Sequence, residues 1–263
     1  MRNFFFLALL AAILFLQGCY TVPVTGRSSL IMTSISSEKA LGLEAFNAYK
    51  TNSVVLTDYA INNRVKTIGQ RIAKVAEEDT PGMEWEWEFV VFDDSETANA
   101  WCLPGGKVAV YTGILPYAKT DAQLATVMAH EIGHAVARHG VERMGTQTAL
   151  SAVGILGGTA LNVLFGVDAD VFLSLYGTGS SLLVTLPFSR DDEYEADRIG
   201  MNYMARAGYD PQEAVNFWEN FMQAGGTSVP ELLSTHPSDS NRIEALKGYL
   251  PENQELYKKA IGR

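Results

Sequence analysis

Cysteine is scarce in this chain. Two residues in 263 allow at most one disulfide, which excludes a small scaffold stapled by bridges. Bases are short as well, 20 against 30 acids. The net charge of −10 argues against a nucleic-acid binder, which needs a basic face to meet phosphates. Charged residues make up only 19% and apolar ones 47%, so a wholly disordered or coiled-coil chain is excluded. No repeat of about 20–50 residues is visible, which removes solenoids. Histidine occurs four times, so the places where it falls carry weight. What is present is enough apolar sequence for one large domain or two small ones with a sizeable core.

The first residues read as an address. Arg2 precedes an apolar run from Phe4 to Leu16, too short to span a bilayer comfortably and right for the centre of a signal peptide. The run ends in Leu16-Gln17-Gly18-Cys19, which resembles a bacterial lipobox. Residues 1–18 are therefore expected to be a lipoprotein signal peptide, with cleavage before Cys19 and acyl chains on its thiol as the membrane anchor. Tyr20, in place of Asp, implies by the same resemblance sorting to the outer membrane of a Gram-negative cell. Residues 19–36, rich in Thr, Ser, Val and Pro, then form a lipid-anchored tether, and 37–263 the folded domain. Cys102 is left as a lone thiol, read as a small buried apolar residue.

Periodicity divides the remainder. Ser37 is expected to cap a helix reaching about Lys50, and Asp58 to Glu78 forms an amphipathic helix with Ile61, Val65, Ile68, Ile72 and Val75 on one face. Trp85, Trp87, Phe89 and Val91 alternate as in a strand. Asn99 to Leu103 and Lys107 to Tyr111 flank a Gly105-Gly106 turn, which predicts a small antiparallel sheet. Thr120, with Gln123 three residues on, starts a helix that is expected to end near His139-Gly140. Residues 144–167 and 171–189 carry no Lys, Arg or Glu and no Asp, so they read either as membrane-dipping helices or as buried helices and loops. Interrupting Gly and Pro favour the buried reading. Further helices are expected from Asp191 to Gly208, from Asp210-Pro211 to Met222, and from Ser238 to Leu250.

The chemistry lies in His130-Glu131-Ile132-Gly133-His134. Histidines four apart on a helix lie about 40° apart around its axis, so both rings point one way and can hold one Zn²⁺. Glu131 reaches water beside such an ion and can take its proton. With 4 His and 18 Glu in the chain, random placement gives such a pentapeptide roughly 0.004 times, so the match carries information. A catalytic zinc needs a third protein ligand, for which Glu193-Tyr194-Glu195-Ala196-Asp197 is the best candidate. Glu193 and Asp197 share one face with Met201 and Met204, and two inward acids are costly unless paired or metal-bound. Glu195 falls on the other side and should be solvated. His139, about 140° round the helix from His134, reads as a helix-end or solvated histidine.

These motifs, with Asn99-Ala100-Trp101, Leu103-Pro104-Gly105-Gly106 and Thr235-His236-Pro237, resemble the zinc metallopeptidase family of CAAX prenyl proteases, HtpX and BepA. Pro23-Val24-Thr25-Gly26-Arg27 is similar to the lead-in of outer-membrane lipoprotein members such as LoiP. The resemblance implies an α+β fold, a mainly helical zincin-type (gluzincin) metallopeptidase domain with a small antiparallel sheet. It implies one Zn²⁺ per chain held by His130, His134 and Glu193. Glu131 would be the general base, and Asp197 a proton donor or an orienting group. His236 would approach the zinc as ligand, gate or oxyanion stabiliser. Lys107 to Tyr111 would be the edge strand that pairs with an extended substrate. The implied activity is endopeptidase cleavage of unfolded or misassembled envelope proteins, with membrane attachment through Cys19 and no nucleic-acid partner. Two other readings compete: a chaperone-like assembly factor for outer-membrane proteins with latent hydrolysis, and a structural lipoprotein with a metal-stabilised core.

Overall fold

Capping side chains set where the helices begin. Ser34 accepts from the Ser37 amide and starts α1 (Ile35–Asn52), ahead of the Ser37 expected to do so. Asp58 caps α2 (Tyr59–Asp79), which buries Val65, Ile68, Ile72 and Val75 as its periodicity predicts. Thr120 accepts from the Gln123 amide at the start of α3 (Asp121–Ala137). Ser189 and Asp192 form a reciprocal capping box ahead of α4 (Arg190–Arg206). The helices α5 (Gln212–Ala224), α6 (Glu231–Thr235) and α7 (Ser240–Ala260) follow. α7 continues through Pro251, past its expected end at Leu250. The Asn253 side chain donates to the Tyr249 carbonyl in that stretch. This computed structural model describes residues 19–31, 33–145, 188–224, 230–236 and 240–262. Residues 1–18, where a signal peptide is expected, and residues 146–167 and 171–187 of the two uncharged runs lie outside them. No helix among the described residues is long and apolar enough to cross a membrane.

The segment expected to be a plain tether carries a hairpin. β1 (Cys19–Thr21) pairs antiparallel with β2 (Ser28–Leu30). A three-stranded sheet follows, with β3 (Glu88–Phe92), β4 (Ala100–Leu103) and β5 (Lys107–Tyr111) in the order β3-β5-β4. β4 and β5 are antiparallel, joined through Gly105 and Gly106 at φ +80° and +83°, where residues with a Cβ are strained. β3 lies parallel to β5, so this sheet is mixed. The Lys107–Tyr111 strand is thus central, and the expectation that it is an edge is corrected. The short β4–β5 turn commits one side of β5 to β4, and β3 takes the other. On the far side of β3, Val55 bridges Phe92, while among the described residues no strand flanks the outer edge of β4.

Alternation along β4 and β5 feeds two cores. Ala100, Cys102, Val108 and Val110 pack with Leu124, Val127 and Met128 of α3. Trp101, Leu103, Ala109 and Tyr111 pack with Phe46 and Tyr49 of α1. Cys102 is buried, as expected, and burial pushes its thiol well above the usual range, so it stays protonated.

α3 and α4 cross at two glycines. A Cβ on Gly133 would stand 2.9 Å from the Ala196 carbonyl oxygen. One on Gly200 would stand 2.9 Å from the His130 amide nitrogen. Each helix therefore presses bare backbone against the other, and short side chains can reach across.

Candidate metal centre

α3 delivers His130, Glu131 and His134, and α4 delivers Glu193 and Asp197 across that close crossing. His236 comes from the residue after α6, with its amide donating to the Leu232 carbonyl at 2.8 Å. The Leu232 amide in turn donates to the Ala98 carbonyl, which ties α6 to the approach to β4. All of these side chains are buried.

Four ligand atoms converge. One atom each from His130, His134, Glu193 and His236 lies within 4.8 Å of all the others. His130 Nε2 is 3.1 Å from His134 Nε2 and 3.3 Å from His236 Nδ1. Glu193 Oε2 is 3.3 Å from His130 Nε2, while its Oε1 is 3.4 Å from His134 Nε2 and 3.0 Å from His236 Nδ1. Tetrahedral bonds of about 2.0–2.1 Å put ligand atoms about 3.3–3.4 Å apart, close to this spacing. Three imidazole nitrogens and a carboxylate oxygen also match the ligand chemistry of zinc. These residues fit the ion.

Charge points the same way. Three buried carboxylates, Glu131, Glu193 and Asp197, face one buried arginine, Arg242. Arg242 Nε and Nη2 bind Asp197 at 2.7 and 2.8 Å, and its Nη1 lies 2.7 Å from Glu193 Oε2. The guanidinium also covers the Trp218 ring at 4.4 Å. Burial alone would raise the Glu193 carboxyl, but His236 and Arg242 hold it well below the usual range. Burial would likewise raise Asp197, and Arg242 reverses that. Burial disfavours a charged His130, yet Asp197 and Glu193 beside it carry its pKa up to about 9. Burial lowers His134 well below the imidazole range despite Glu193. Burial raises the Glu131 carboxyl. Glu131 Oε1 has no hydrogen-bond partner, and His236 Nε2 is 3.6 Å from it.

The candidate residues His130, Glu131, His134, Glu193, Asp197 and His236 are thus brought together. Asp197 backs His130, with Oδ1 2.9 Å from Nδ1 on the side away from the ligand cluster. Two expectations are corrected. His139 is not solvated: it is buried, with Nδ1 2.9 Å from His134 Nδ1 and Nε2 2.8 Å from Glu195 Oε2. The helical projection assumed a continuous helix, whereas Arg138 ends α3 in the left-handed conformation (φ 60°, ψ 30°) and swings His139 back. The cap is therefore Arg138 and not Gly140, and its guanidinium is fixed by the buried Glu38. Glu195 is not solvated either, because the N-terminal hairpin covers its face of α4. It accepts from Arg27 Nε at 2.6 Å and from the Thr25 hydroxyl. Burial would raise its carboxyl, but these partners and His139 hold it at about 2.

Arg242, Arg27 and Phe188 were missed from the sequence. Phe188 packs on His134 with ring centroids 4.1 Å apart. Two inward acids at 193 and 197 call for a cation, and that was the available signal for Arg242. Nothing in the spacing marked Phe188.

Comparison with known proteins agrees with this geometry. Residues 60–250 match Peptidase family M48. The mitochondrial metalloendopeptidase OMA1 of Saccharomyces cerevisiae is 34% identical over 254 residues, covering 90% of this chain and 71% of that protein. The OMA1 of Schizosaccharomyces pombe is 35% identical over 239 residues, covering 89% of this chain and 67% of its own length. The beta-barrel assembly-enhancing protease of Escherichia coli is 29% identical over 236 residues, covering 87% of this chain and 47% of its own length. The chain thus spans about half the length of some relatives and about two thirds of others. By the family match and by the four-ligand cluster at the α3–α4 crossing, the chain belongs to peptidase family M48, the zinc metallopeptidases.

Proposed function

We propose that this chain is a zinc metalloendopeptidase of the bacterial cell envelope that hydrolyses unfolded or misassembled proteins. The observation that carries the reading is Glu131, a buried carboxylate with an unpartnered oxygen beside the four-ligand cluster. His130, His134 and Glu193 would hold a zinc ion, which would supply Lewis acidity toward water and a peptide carbonyl. Glu131 takes the proton of the attacking water and returns it to the leaving amine. Asp197, clamped by Arg242, orients His130, and its depressed pKa suits that role better than proton donation. Backbone pairing of an extended substrate with the outer edge of β4 would require that edge, whose four residues are all buried, to be uncovered. Pairing of that kind selects flexible or unfolded chains, and this supports the substrate class. Acylation of Cys19, as in LoiP-like lipoproteins, would hold the enzyme at the periplasmic face of the outer membrane.

Metal removal tests the reading. The purified chain, loaded with zinc, should cleave unfolded casein. Chelation should stop cleavage, and added Zn²⁺ should restore it with the far-ultraviolet dichroism unchanged. Cleavage that persists without metal sinks the proposal, and chelation that unfolds the chain favours a structural zinc instead.

His236 completes the ligand tetrahedron, which supports a gated resting site and suits an assembly factor with latent hydrolysis. Water needs the corner that His236 holds. His236→Ala is therefore expected to raise casein turnover several-fold at saturating zinc. A fall in turnover would assign His236 to stabilising the transition state instead.

A further inference from the structure

The two ligand histidines of α3 are backed differently. Behind His130 stand one carboxylate, Asp197, and one arginine, Arg242. Behind His134 runs a longer chain through His139 and Glu195 to Thr25 and Arg27 of the β1–β2 hairpin. Arg27 is held in turn by Glu142, with Nη1 at 2.8 and 3.0 Å from the two carboxylate oxygens. Both chains thus begin at an imidazole Nδ1 facing away from the ligand cluster and run through a carboxylate to a guanidinium.

The longer chain has a defined proton order. Glu195, as a carboxylate, only accepts, so His139 carries its proton on Nε2. The Nδ1 of His139 is then an acceptor, and His134 Nδ1–H donates a hydrogen bond to it. The lone pair of His134 Nε2 is left facing the cluster, as a metal ligand requires. Reversing the order would put a proton on His134 Nε2 and block the site.

We infer that His139, Glu195 and Arg27 are positioning residues for His134, which makes the N-terminal hairpin a working part of the metal centre. This rests on the zinc reading above. The family match begins at residue 60, so Thr25 and Arg27 lie outside it. The hairpin fixes the far end of the chain, and Glu195 transmits both ring orientation and tautomer to His134. Outer partners of this kind typically change metal affinity by about 10–100-fold when removed.

Zinc affinity of the full chain, measured by competition with a chromophoric chelator, tests the inference. The wild type is measured first, and failure to bind zinc sinks the metal reading rather than the bracing. With the wild type loaded, His139→Ala and Glu195→Ala should weaken zinc binding about 10–100-fold. Arg27→Ala should weaken it several-fold, and Arg27→Lys, which keeps a donor to Glu195, should recover most of that loss. The Arg27 side chain is 35% exposed, so its variants keep the test open if the buried ones do not fold. Wild-type affinity in every folded variant overturns the inference, even if melting temperatures fall. Loss in His139→Ala and Glu195→Ala without loss in Arg27→Ala overturns the part assigned to the hairpin.

Discussion

Glu131→Gln is expected to lower casein cleavage by about 10²–10⁴-fold while zinc stays bound. Glutamine keeps the shape of the side chain and removes its ability to take a proton. The proposed ligands His130, His134 and Glu193 are untouched, so metal content and fold should match the wild type. The orphaned Oε1 of Glu131 makes few contacts to lose, which keeps the structural effect small. Steady-state kinetics on a zinc-loaded, metal-quantified sample give the result, with the loss falling on kcat rather than KM. Unchanged turnover in a fully loaded sample removes Glu131 from the role of base.

Arg242→Ala should be the most damaging change outside the ligands. Arg242 is fully enclosed and is shared between Glu193 and Asp197. Its removal leaves two buried carboxylates facing each other without their cation. Breaking a buried pair from one side typically costs about 3–5 kcal/mol. Glu193 and Asp197 then either take up protons or turn away, and both routes loosen the metal site. Lower denaturation midpoints, with zinc affinity down about 10–100-fold, are the expected results. Arg242→Lys keeps the charge but not the planar fork that grips Asp197 through two nitrogens, so it should fall between. A midpoint and affinity like those of the wild type in Arg242→Ala would show that the carboxylates do not depend on it.

Much of the site was legible because helical spacing transfers directly into geometry. His130 and His134 share a face whenever α3 forms, and Thr120 with Gln123 marks its start. Glu193 and Asp197 share a face in the same way. The unread parts depend on the chain leaving regular structure. His139 lies one residue beyond a left-handed turn at Arg138, a non-glycine residue whose sequence gives no hint of positive φ. Glu195 is on the expected side of α4, but that side meets a hairpin from 168 residues upstream rather than water. Long-range contact of this kind leaves no periodic trace. The sheet shows the same limit. Its strand segments followed from alternation and from the glycine pair, whereas the order β3-β5-β4 depends on how the connection from 93 to 99 returns.

The crossing of α3 and α4 has a bearing on how this protein can vary. Gly133 touches one helix with the backbone of the other, and Gly200 does the reverse. The spacing between the two ligand-bearing elements is therefore fixed by main chain on main chain. Buried residues elsewhere along these helices, such as Leu124, Met128 and Ile199, pack side chain against side chain and contribute to the core rather than to that backbone contact. Among the positions that hold the metal centre together are thus two that carry no side chain at all.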